Sequence, residues 1–152
     1  ITIMKKCLYP GSFDPFTKGH EDIVNKSLEI FDQVIVGIGI NTKKKSLFSI
    51  ESRIKHIKSL FDNRVEILSY DSLTVDFCIK NECSHIIRGI RDTKDFEYEK
   101  SIAYMNNGMS KIDTIFLLSD QKHLHINSSI VRELYLNGAD ISSFVTNKSE
   151  LN

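Results

Sequence analysis

Residues 5–40 read KKCLYPGSFDPFTKGHEDIVNKSLEIFDQVIVGIGI, and they set the architecture of the chain. Apolar residues dominate Lys5–Tyr9 and again Val34–Ile40, as expected for strands that are covered on both faces. The segment between them carries apolar residues at the spacing of one helix face, namely Ile23, Val24, Leu28 and Phe31. A strand, a helix and a second strand in this order predict a right-handed β–α–β unit.

The same alternation continues along the rest of the chain. It predicts three more strands, at Val65–Leu68, His85–Arg88 and Thr114–Leu118. It also predicts four more helices: one that follows an N-cap at Ser49, one at Leu73–Asn81, one at Asp95–Asn107 that ends at Gly108, and one from about Ser128 to Asn137 that is followed by Gly138. We therefore predict an α/β, Rossmann-like, doubly wound sandwich. It has a five-stranded parallel sheet with helices on both faces, in one domain over residues 1–152.

The bulk composition excludes several classes of protein. Lys+Arg and Asp+Glu both count 20, which argues against duplex DNA or an anionic membrane as the main partner. The sequence shows neither a signal peptide nor a membrane-spanning run, and its three cysteines lie among apolar residues without metal-binding spacing. We expect a cytoplasmic protein with buried thiols. Residues 1–3 precede Met4, the expected natural start, and are treated as extraneous.

The first candidate site follows the first strand. Pro10-Gly11 lets the backbone turn sharply, Thr17 can cap the next helix, and His20 falls in the first turn of that helix. Helix N-termini bind anions, and an imidazole there can donate to a phosphate oxygen. For His20 alone, a solvated histidine in a plain capped loop is the favoured interpretation. The whole string favours phosphate binding instead.

Other polar residues follow the remaining strands, where parallel sheets bind ligands. Lys43-Lys44-Lys45 comes just after the second strand, although a solvated lysine run is the default interpretation. Arg88 ends the fourth strand, and a held guanidinium suits phosphate. A structural pair between Arg88 and Asp95 or Glu97 is an equally weighted alternative.

The segment 123–129 begins the last helix beside the same edge of the sheet. Asn127, Ser128 and Ser129 are ordinary capping residues, but at this place they offer a second anion-binding helix N-terminus. His123 and His125 invite a zinc interpretation, which we reject because no third ligand lies at suitable spacing. We predict no metal ligand from the protein.

Five strings together resemble the phosphopantetheine adenylyltransferase family, within the nucleotidyltransferases marked by a (T/H)xGH turn. They are Tyr9–His20, Lys44-Lys45 with Leu47-Phe48, Ile87–Arg91, Asp95–Glu99 and Ser128–Glu133, and the resemblance spans Met4 to about Val145. The turn alone indicates only the superfamily. The block from Arg88 to Glu99 is the more specific part.

The resemblance implies transfer of AMP from ATP to 4′-phosphopantetheine, giving dephospho-coenzyme A and pyrophosphate with Mg²⁺, in a homohexamer. It implies catalytic roles for His20, Lys44 and Arg91, and acceptor contacts from Ser12, Lys44, Thr74 and Arg88. The implied ATP site comprises Ser12, Phe13, His20, Gly89, Ile90, Arg91, Glu99, His123, Leu124, His125, Ile126, Asn127, Ser128 and Ser129.

Three positions depart from the usual family pattern. His123 replaces an aromatic residue, Asn127 replaces a serine, and Asp92 stands where a small residue is usual, so that it can pair with Arg91. Two alternative functions remain open. One is a nucleotidyltransferase for another acceptor, such as nicotinamide mononucleotide or the one that gives CDP-glycerol. The other is a non-catalytic nucleotide or coenzyme A sensor.

Overall fold

A computed structural model of the chain describes residues 2–152. Its strands are β1 (Lys6–Gly11), β2 (Gln33–Gly39), β3 (Val65–Tyr70), β4 (His85–Ile90) and β5 (Asp113–Leu118). Its helices are α1 (Lys18–Leu28), α2 (Ile50–Lys58), α3 (Thr74–Lys80), α4 (Thr93–Ser110) and α5 (Ser128–Leu136), with 3₁₀ turns at Gln121–His123 and Lys148–Leu151. The sheet is parallel throughout, in the order β3-β2-β1-β4-β5, which confirms the predicted Rossmann-like architecture. Of the three residues before Met4, Ile1 lies outside the described part.

Side chains of each strand alternate between two apolar clusters, one on each face of the sheet. On β1, Cys7 and Tyr9 pack with α1 and α2, whereas Leu8 packs with α3 on the other face. The period of two in a strand produces this division. Both faces are covered, which explains why the strands read as nearly continuous apolar runs.

All three cysteines are buried free thiols, as the sequence predicts. Burial raises the pKa of the Cys7 thiol to about 12, with a smaller contribution from the neighbouring Cys83. Cys78 and Cys83 lie in the cluster under α3. A thiol that stays protonated at neutral pH is a poor nucleophile, so the structure gives Cys7 a packing role.

The sheet opens between its two central strands. β1 pairs with β2 from Lys6↔Gln33 to Gly11↔Ile38, but with β4 only at Cys7↔His85 and Leu8↔Ile86. Beyond Leu8 the carboxyl ends of β1 and β4 diverge. The strand order also reverses direction here, and a crevice for ligands is expected at such a switch point.

A third apolar cluster joins the C-terminal segment to the rest of the chain. Ile141, Val145 and Leu151 pack with α5 and with Phe48 from the loop before α2. The segment is also tied to the start of α1, because the Lys18 N–H donates to the Phe144 carbonyl at 2.8 Å. The chain that follows α5 therefore supports the helix N-terminus that was predicted to bind phosphate.

Several element ends differ from the sequence prediction; β1, for example, continues past Tyr9 through Pro10 and Gly11, which pair with β2. Gly108 lies inside α4, so its assignment as the end of that helix is wrong. Lys111 ends the helix instead, with φ 64° and an N–H donated to the Asn107 carbonyl. β4 continues two residues past Arg88 because it stays paired with β5 through Ile90↔Leu118.

Within residues 2–152, every helix is too short or too polar to span a lipid bilayer.

Candidate active site

Thr17 and His20 form a reciprocal cap at the start of α1. The Thr17 hydroxyl accepts the His20 backbone N–H at 3.4 Å, and the imidazole Nδ1 of His20 accepts the Thr17 backbone N–H at 3.0 Å. This is the capping-box arrangement, with histidine in the place usually held by glutamate or glutamine. Because Nδ1 is an acceptor, the proton of the neutral ring resides on Nε2.

The surroundings of His20 keep its imidazole neutral. The rings of Phe13 and Phe16 lie 5.0 and 5.4 Å from it, centroid to centroid. Burial, and then the positive charges of Arg88 and Arg91, lower the pKa of His20 to about 3. The neutral ring leaves an Nε2–H donor that is free to bind an oxygen. This arrangement replaces the solvated histidine considered from the sequence.

His20 lines a cavity of about 390 Å³ at the carboxyl ends of the central strands. The cavity brings together side chains from segments that lie far apart in the sequence. Of the predicted site residues, the following line it: Ser12, Phe13, His20, Lys44, Arg88, Gly89, Arg91, Glu99, His123, Ile126, Asn127, Ser128 and Ser129.

Arg88 spans the gap between β1 and β4. Its guanidinium donates to both carboxylate oxygens of Glu99, at 2.7 and 2.8 Å, and also to the Pro10 carbonyl. Burial acts to lower the pKa of Arg88, but the hydrogen bonds and charge of Glu99 raise it overall. The alternative of a structural carboxylate partner is thus confirmed, but the partner is Glu99 and not Asp95 or Glu97. The pair fixes a permanently charged fork at the cavity wall.

Arg91 joins α4 to the segment before α5. Its Nε and backbone N–H both bind Asp95, at 3.0 and 3.1 Å, and its Nη1 donates to the Ile126 carbonyl at 3.1 Å. Burial raises the pKa of Asp95, but the hydrogen bonds and charge of Arg91 hold it below its usual value. Asp92 caps α4 instead of pairing with Arg91, because its carboxylate accepts the Asp95 N–H at 2.8 Å. The suggested Asp92–Arg91 pair is wrong.

Lys44 reaches the cavity from an exposed loop between β2 and α2. Within residues 2–152 its ammonium makes no hydrogen bond or ion pair with protein, whereas both arginines of the strand ends are paired. Of the three consecutive lysines only Lys44 lines the cavity. The structure thus distinguishes Lys44, which lines the cavity, from Lys43 and Lys45, which do not.

The N-terminus of α5 forms the opposite wall. The Asn127 side chain accepts the Ser129 N–H at 2.8 Å and the Ile130 N–H at 3.4 Å, so it caps this helix as well as a serine would. Sequence reasoning missed Arg132, which lines the cavity and donates to the Ser129 hydroxyl and the Asp14 carbonyl, both at 3.0 Å. Its position three and four residues after the two serines places it on their helix face, which is a signal the sequence contained.

The cavity is cationic although the whole chain has no net charge. Four cationic side chains line it against two carboxylates, a formal excess of two positive charges, from Lys44, Arg88, Arg91 and Arg132 against Asp95 and Glu99. The neutral His20 adds no charge. Two helix N-termini add partial positive charge at the same place. Such a site suits a ligand with several phosphates.

Comparison with known proteins identifies the family of the chain. Residues 8–134 match the family model described as Cytidylyltransferase-like. The chain is 47% identical over 144 residues to the phosphopantetheine adenylyltransferase of Flavobacterium psychrophilum, covering 93% of this chain and 95% of that one. It is 45% identical over 151 residues to the enzyme of the same name from Bacteroides thetaiotaomicron, covering 98% and 100%.

The chain belongs to the phosphopantetheine adenylyltransferase family. It is accordingly a nucleotidyltransferase. A solved structure of a bifunctional NMN adenylyltransferase/ADP ribose pyrophosphatase from Francisella tularensis, complexed with AMP and a manganese ion, superposes with a TM-score of 0.69 at 19% identity. That match covers 97% of this chain and 48% of the other, so the chain spans about half of that protein, and the likeness concerns the fold alone.

A second cavity of about 200 Å³ adjoins the first in this family member. It shares Pro10, Gly11, Arg88 and Glu99 with the first cavity and extends between α3 and α4. Thr74 lies here and not in the main cavity, and its hydroxyl contacts the Tyr70 hydroxyl at 3.0 Å. The Arg88–Glu99 pair therefore stands at the junction of two compartments.

Three of the predicted ATP-site residues do not line the main cavity. Ile90 is buried, and Leu124 and His125 lie outside the lining. Backbone contacts to a ligand remain a prediction for these three. The remaining predicted residues border one cavity or the other, because the carboxyl ends of parallel strands meet at one edge of the sheet.

Proposed function

We propose that this protein transfers the adenylyl group of ATP to 4′-phosphopantetheine, giving dephospho-coenzyme A and pyrophosphate. Membership of the family supports the general reaction. One structural observation carries the assignment to this site: a neutral imidazole donor, an unpaired lysine and two held guanidinium groups converge on one cavity. A second compartment begins at Arg88.

The chemistry is direct in-line displacement. A phosphate oxygen of 4′-phosphopantetheine bonds to the α-phosphorus of ATP, while the bond from that phosphorus to the bridging oxygen breaks and pyrophosphate leaves with the electron pair. A phosphate monoester dianion is already a nucleophile, so no covalent enzyme intermediate is required. The protein contributes position and charge stabilisation.

Within this scheme His20 donates its Nε2–H to an oxygen of the α-phosphate. Lys44 and Arg88 hold the attacking phosphate, and Arg91 stabilises charge on the nucleotide. We assign Glu99 to positioning Arg88, because both of its carboxylate oxygens are already bound by that guanidinium. Ser128 and Ser129 present the N-terminus of α5 to the phosphates of ATP.

The second cavity is the proposed place of the pantetheine arm. Apolar groups of Ile86, Ile102 and Ala103 line it together with the polar Thr74 and Asn106. A pantetheine arm has this mixed character, because it combines methyl and methylene groups with two amides. Arg88, which lines both cavities, would bind the terminal phosphate of the acceptor.

We propose that Mg²⁺ enters on the nucleotide. The acidic residues that line the cavity, Asp95 and Glu99, are both engaged by arginines, which fits an ion held by phosphate oxygens better than one held by a carboxylate cage. When bound, the ion would neutralise charge on the departing pyrophosphate.

We also propose that the protein forms a homohexamer in the cytoplasm. α4 exposes large apolar side chains along much of its length, including Tyr98, Tyr104, Met105 and Met109. Several large apolar side chains exposed on one helix support an interaction site there. Light scattering after size exclusion would measure the mass, and a monomer at micromolar concentration would contradict the hexamer.

The reaction is tested by measuring pyrophosphate release from ATP and Mg²⁺ with each acceptor supplied separately. We expect release with 4′-phosphopantetheine and none with nicotinamide mononucleotide. Release only with nicotinamide mononucleotide would refute the acceptor. Calorimetric binding of ATP without turnover on any acceptor would favour the non-catalytic sensor.

Lys44→Ala and Lys45→Ala form a matched pair for the proposed site. They remove neighbouring charges from one loop, but only Lys44 lines the cavity. We expect Lys44→Ala to lower kcat/KM for 4′-phosphopantetheine by about 10²-fold, comparable to losing a charged contact made in the transition state. Lys45→Ala should leave this kcat/KM close to that of the unsubstituted protein. Equal effects would mean that the run acts only as diffuse surface charge.

A further inference from the structure

The loop that carries Lys44 has few contacts with the rest of the chain. Residues 41–46 are exposed, and their turn is stabilised internally by bonds from Lys43 and Lys44 to Asn41. Yet Lys44 must approach the α1 N-terminus closely if it is to share a ligand with His20. Something outside the loop has to fix its position, because a freely moving lysine loses much of its catalytic value.

The carboxylate of Asp14 provides this connection. Asp14 is only 6% exposed, and its two oxygens accept the backbone N–H groups of Leu47 at 2.7 Å and Phe48 at 2.8 Å. Asp14 itself belongs to the turn between β1 and α1, so one side chain joins the phosphate-binding turn to the base of the Lys44 loop. The backbone carbonyl of Asp14 also accepts from Arg132 on α5.

A second connection joins the same two segments. The buried Arg53 donates through Nη1 to the Ser12 carbonyl at 2.7 Å and through Nη2 to the Ser46 hydroxyl at 3.1 Å. Ser12 lies two residues before Asp14, and Ser46 lies two residues after Lys44. Both connections therefore act at the junction between the turn and the loop. Neither Asp14 nor Arg53 lines the cavity.

We propose that Asp14 is a positioning residue for the transfer reaction: its carboxylate fixes the Lys44 loop against the phosphate-binding turn, so that the Lys44 ammonium reaches the acceptor phosphate. The inference rests on the function proposed above for Lys44. A carboxylate suits this task because each of its two oxygens accepts one N–H group, whereas an amide of the same shape would turn an NH₂ donor toward one of them.

Asp14→Asn is the direct test, since it keeps the shape but turns one acceptor into a donor facing an N–H. We expect the Leu47 and Phe48 amides to exchange with deuterium at least about 10-fold faster, because a buried acceptor is lost. kcat/KM for 4′-phosphopantetheine should fall by about 10- to 100-fold, while KM for ATP changes little. Unchanged exchange at these amides would overturn the proposal.

A double-mutant cycle separates positioning from general weakening. If Asp14 acts through Lys44, Asp14→Asn should cost less than about 3-fold further in turnover once Lys44 is alanine. Full additivity of the two losses, or an equal rise of KM for both substrates, would overturn the proposal. Normal turnover by Lys44→Ala alone would instead refute the proposed role of Lys44, and the exchange data would still report on the contact itself.

Ser46→Ala keeps the test usable if Asp14→Asn folds poorly. Ser46 is exposed, and its loss removes only the Arg53 contact. We expect kcat/KM for 4′-phosphopantetheine to fall by about 2- to 5-fold, the size of one hydrogen bond, while KM for ATP again changes little. A fall that remains undiminished in the Lys44→Ala background would contradict the proposal.

Discussion

Replacing His20 tests whether the imidazole acts as a neutral donor. Nδ1 is occupied by the Thr17 N–H at 3.0 Å, so any contact with a phosphate must come from Nε2. His20→Asn places an amide group near the position of Nδ1, whereas His20→Gln places its amide nitrogen near the position of Nε2. The two variants thus divide the capping role of the ring from its proposed role in the reaction.

The expected magnitudes follow from the environment of the ring. With a pKa of about 3, only about 0.3% of His20 is protonated at about pH 5.5, against about 90% for an unperturbed histidine of pKa 6.5. The donor is therefore neutral throughout the working range. Loss of one preorganised donor lowers kcat by about 10²–10³-fold, equivalent to roughly 3–4 kcal/mol, which we expect for His20→Asn and for His20→Ala.

The assay combines turnover with nitrogen NMR of labelled histidine in the free protein. His20→Gln should recover part of kcat, and KM for ATP should change far less than kcat in all three variants. The His20 ring should show a protonated Nε2 and an unprotonated Nδ1, unchanged between about pH 5.5 and 8. A midpoint near 6.5, a proton on Nδ1, or full kcat in His20→Asn would refute the reasoning.

Three further predictions concern stability, measured by urea unfolding. Glu99→Gln should lower the free energy of unfolding by about 1.5–3 kcal/mol, because it leaves the Arg88 guanidinium partly unpaired. The control Glu97→Gln, at an exposed position of the same helix, should change it by no more than about 0.5 kcal/mol. Equal losses would contradict the structural pair. Gly89→Ala should lower the free energy of unfolding by about 1–3 kcal/mol, because the added Cβ would lie 2.9 Å from Ile23 Cγ1. Gly108→Ala, whose Cβ meets nothing within 4 Å inside α4, should raise it by up to about 1 kcal/mol. A gain at Gly89 with a loss at Gly108 would show that the packing is misassigned. Burial lowers the pKa of His56, and its bond to the Thr146 carbonyl and the charges of Glu21 and Glu150 offset this only partly. The unfolded chain therefore takes up the proton first, and stability falls as the pH drops below about 6.5. His56→Gln should make this fall less steep, and an unaltered pH dependence would disprove the prediction.

Much of the site was readable from the sequence because its parts are local. The cap at Thr17 and His20 spans three residues, and the bonds of Asn127 reach two and three residues ahead. Contacts this short depend on residue type and spacing alone. The end of α4 was misjudged for a related reason: glycine favours a left-handed cap, but Lys111 adopts that conformation here.

The long-range partners could not be predicted. The sequence predicts an ATP contact for Glu99 and not its pair with Arg88, and the predicted site includes neither Asp14 nor Arg132. Their contacts cross 34 residues from Asp14 to Phe48 and 118 from Arg132 to Asp14. Which carboxylate meets which cation depends on how helices pack on the sheet, and many pairings satisfy the same charges.

The sequence by itself determined the alternation of strands and helices, and with it the edge of the sheet where polar residues gather. It also determined the capped turn at Thr17–His20, because strand periodicity and capping are properties of neighbouring residues. Only the tertiary structure decided that β1 and β4 diverge after Leu8↔Ile86, that Lys44 alone of three lysines reaches the cavity, and that His20 is neutral. These outcomes depend on burial and on distances between distant segments, which exist only once the chain has folded.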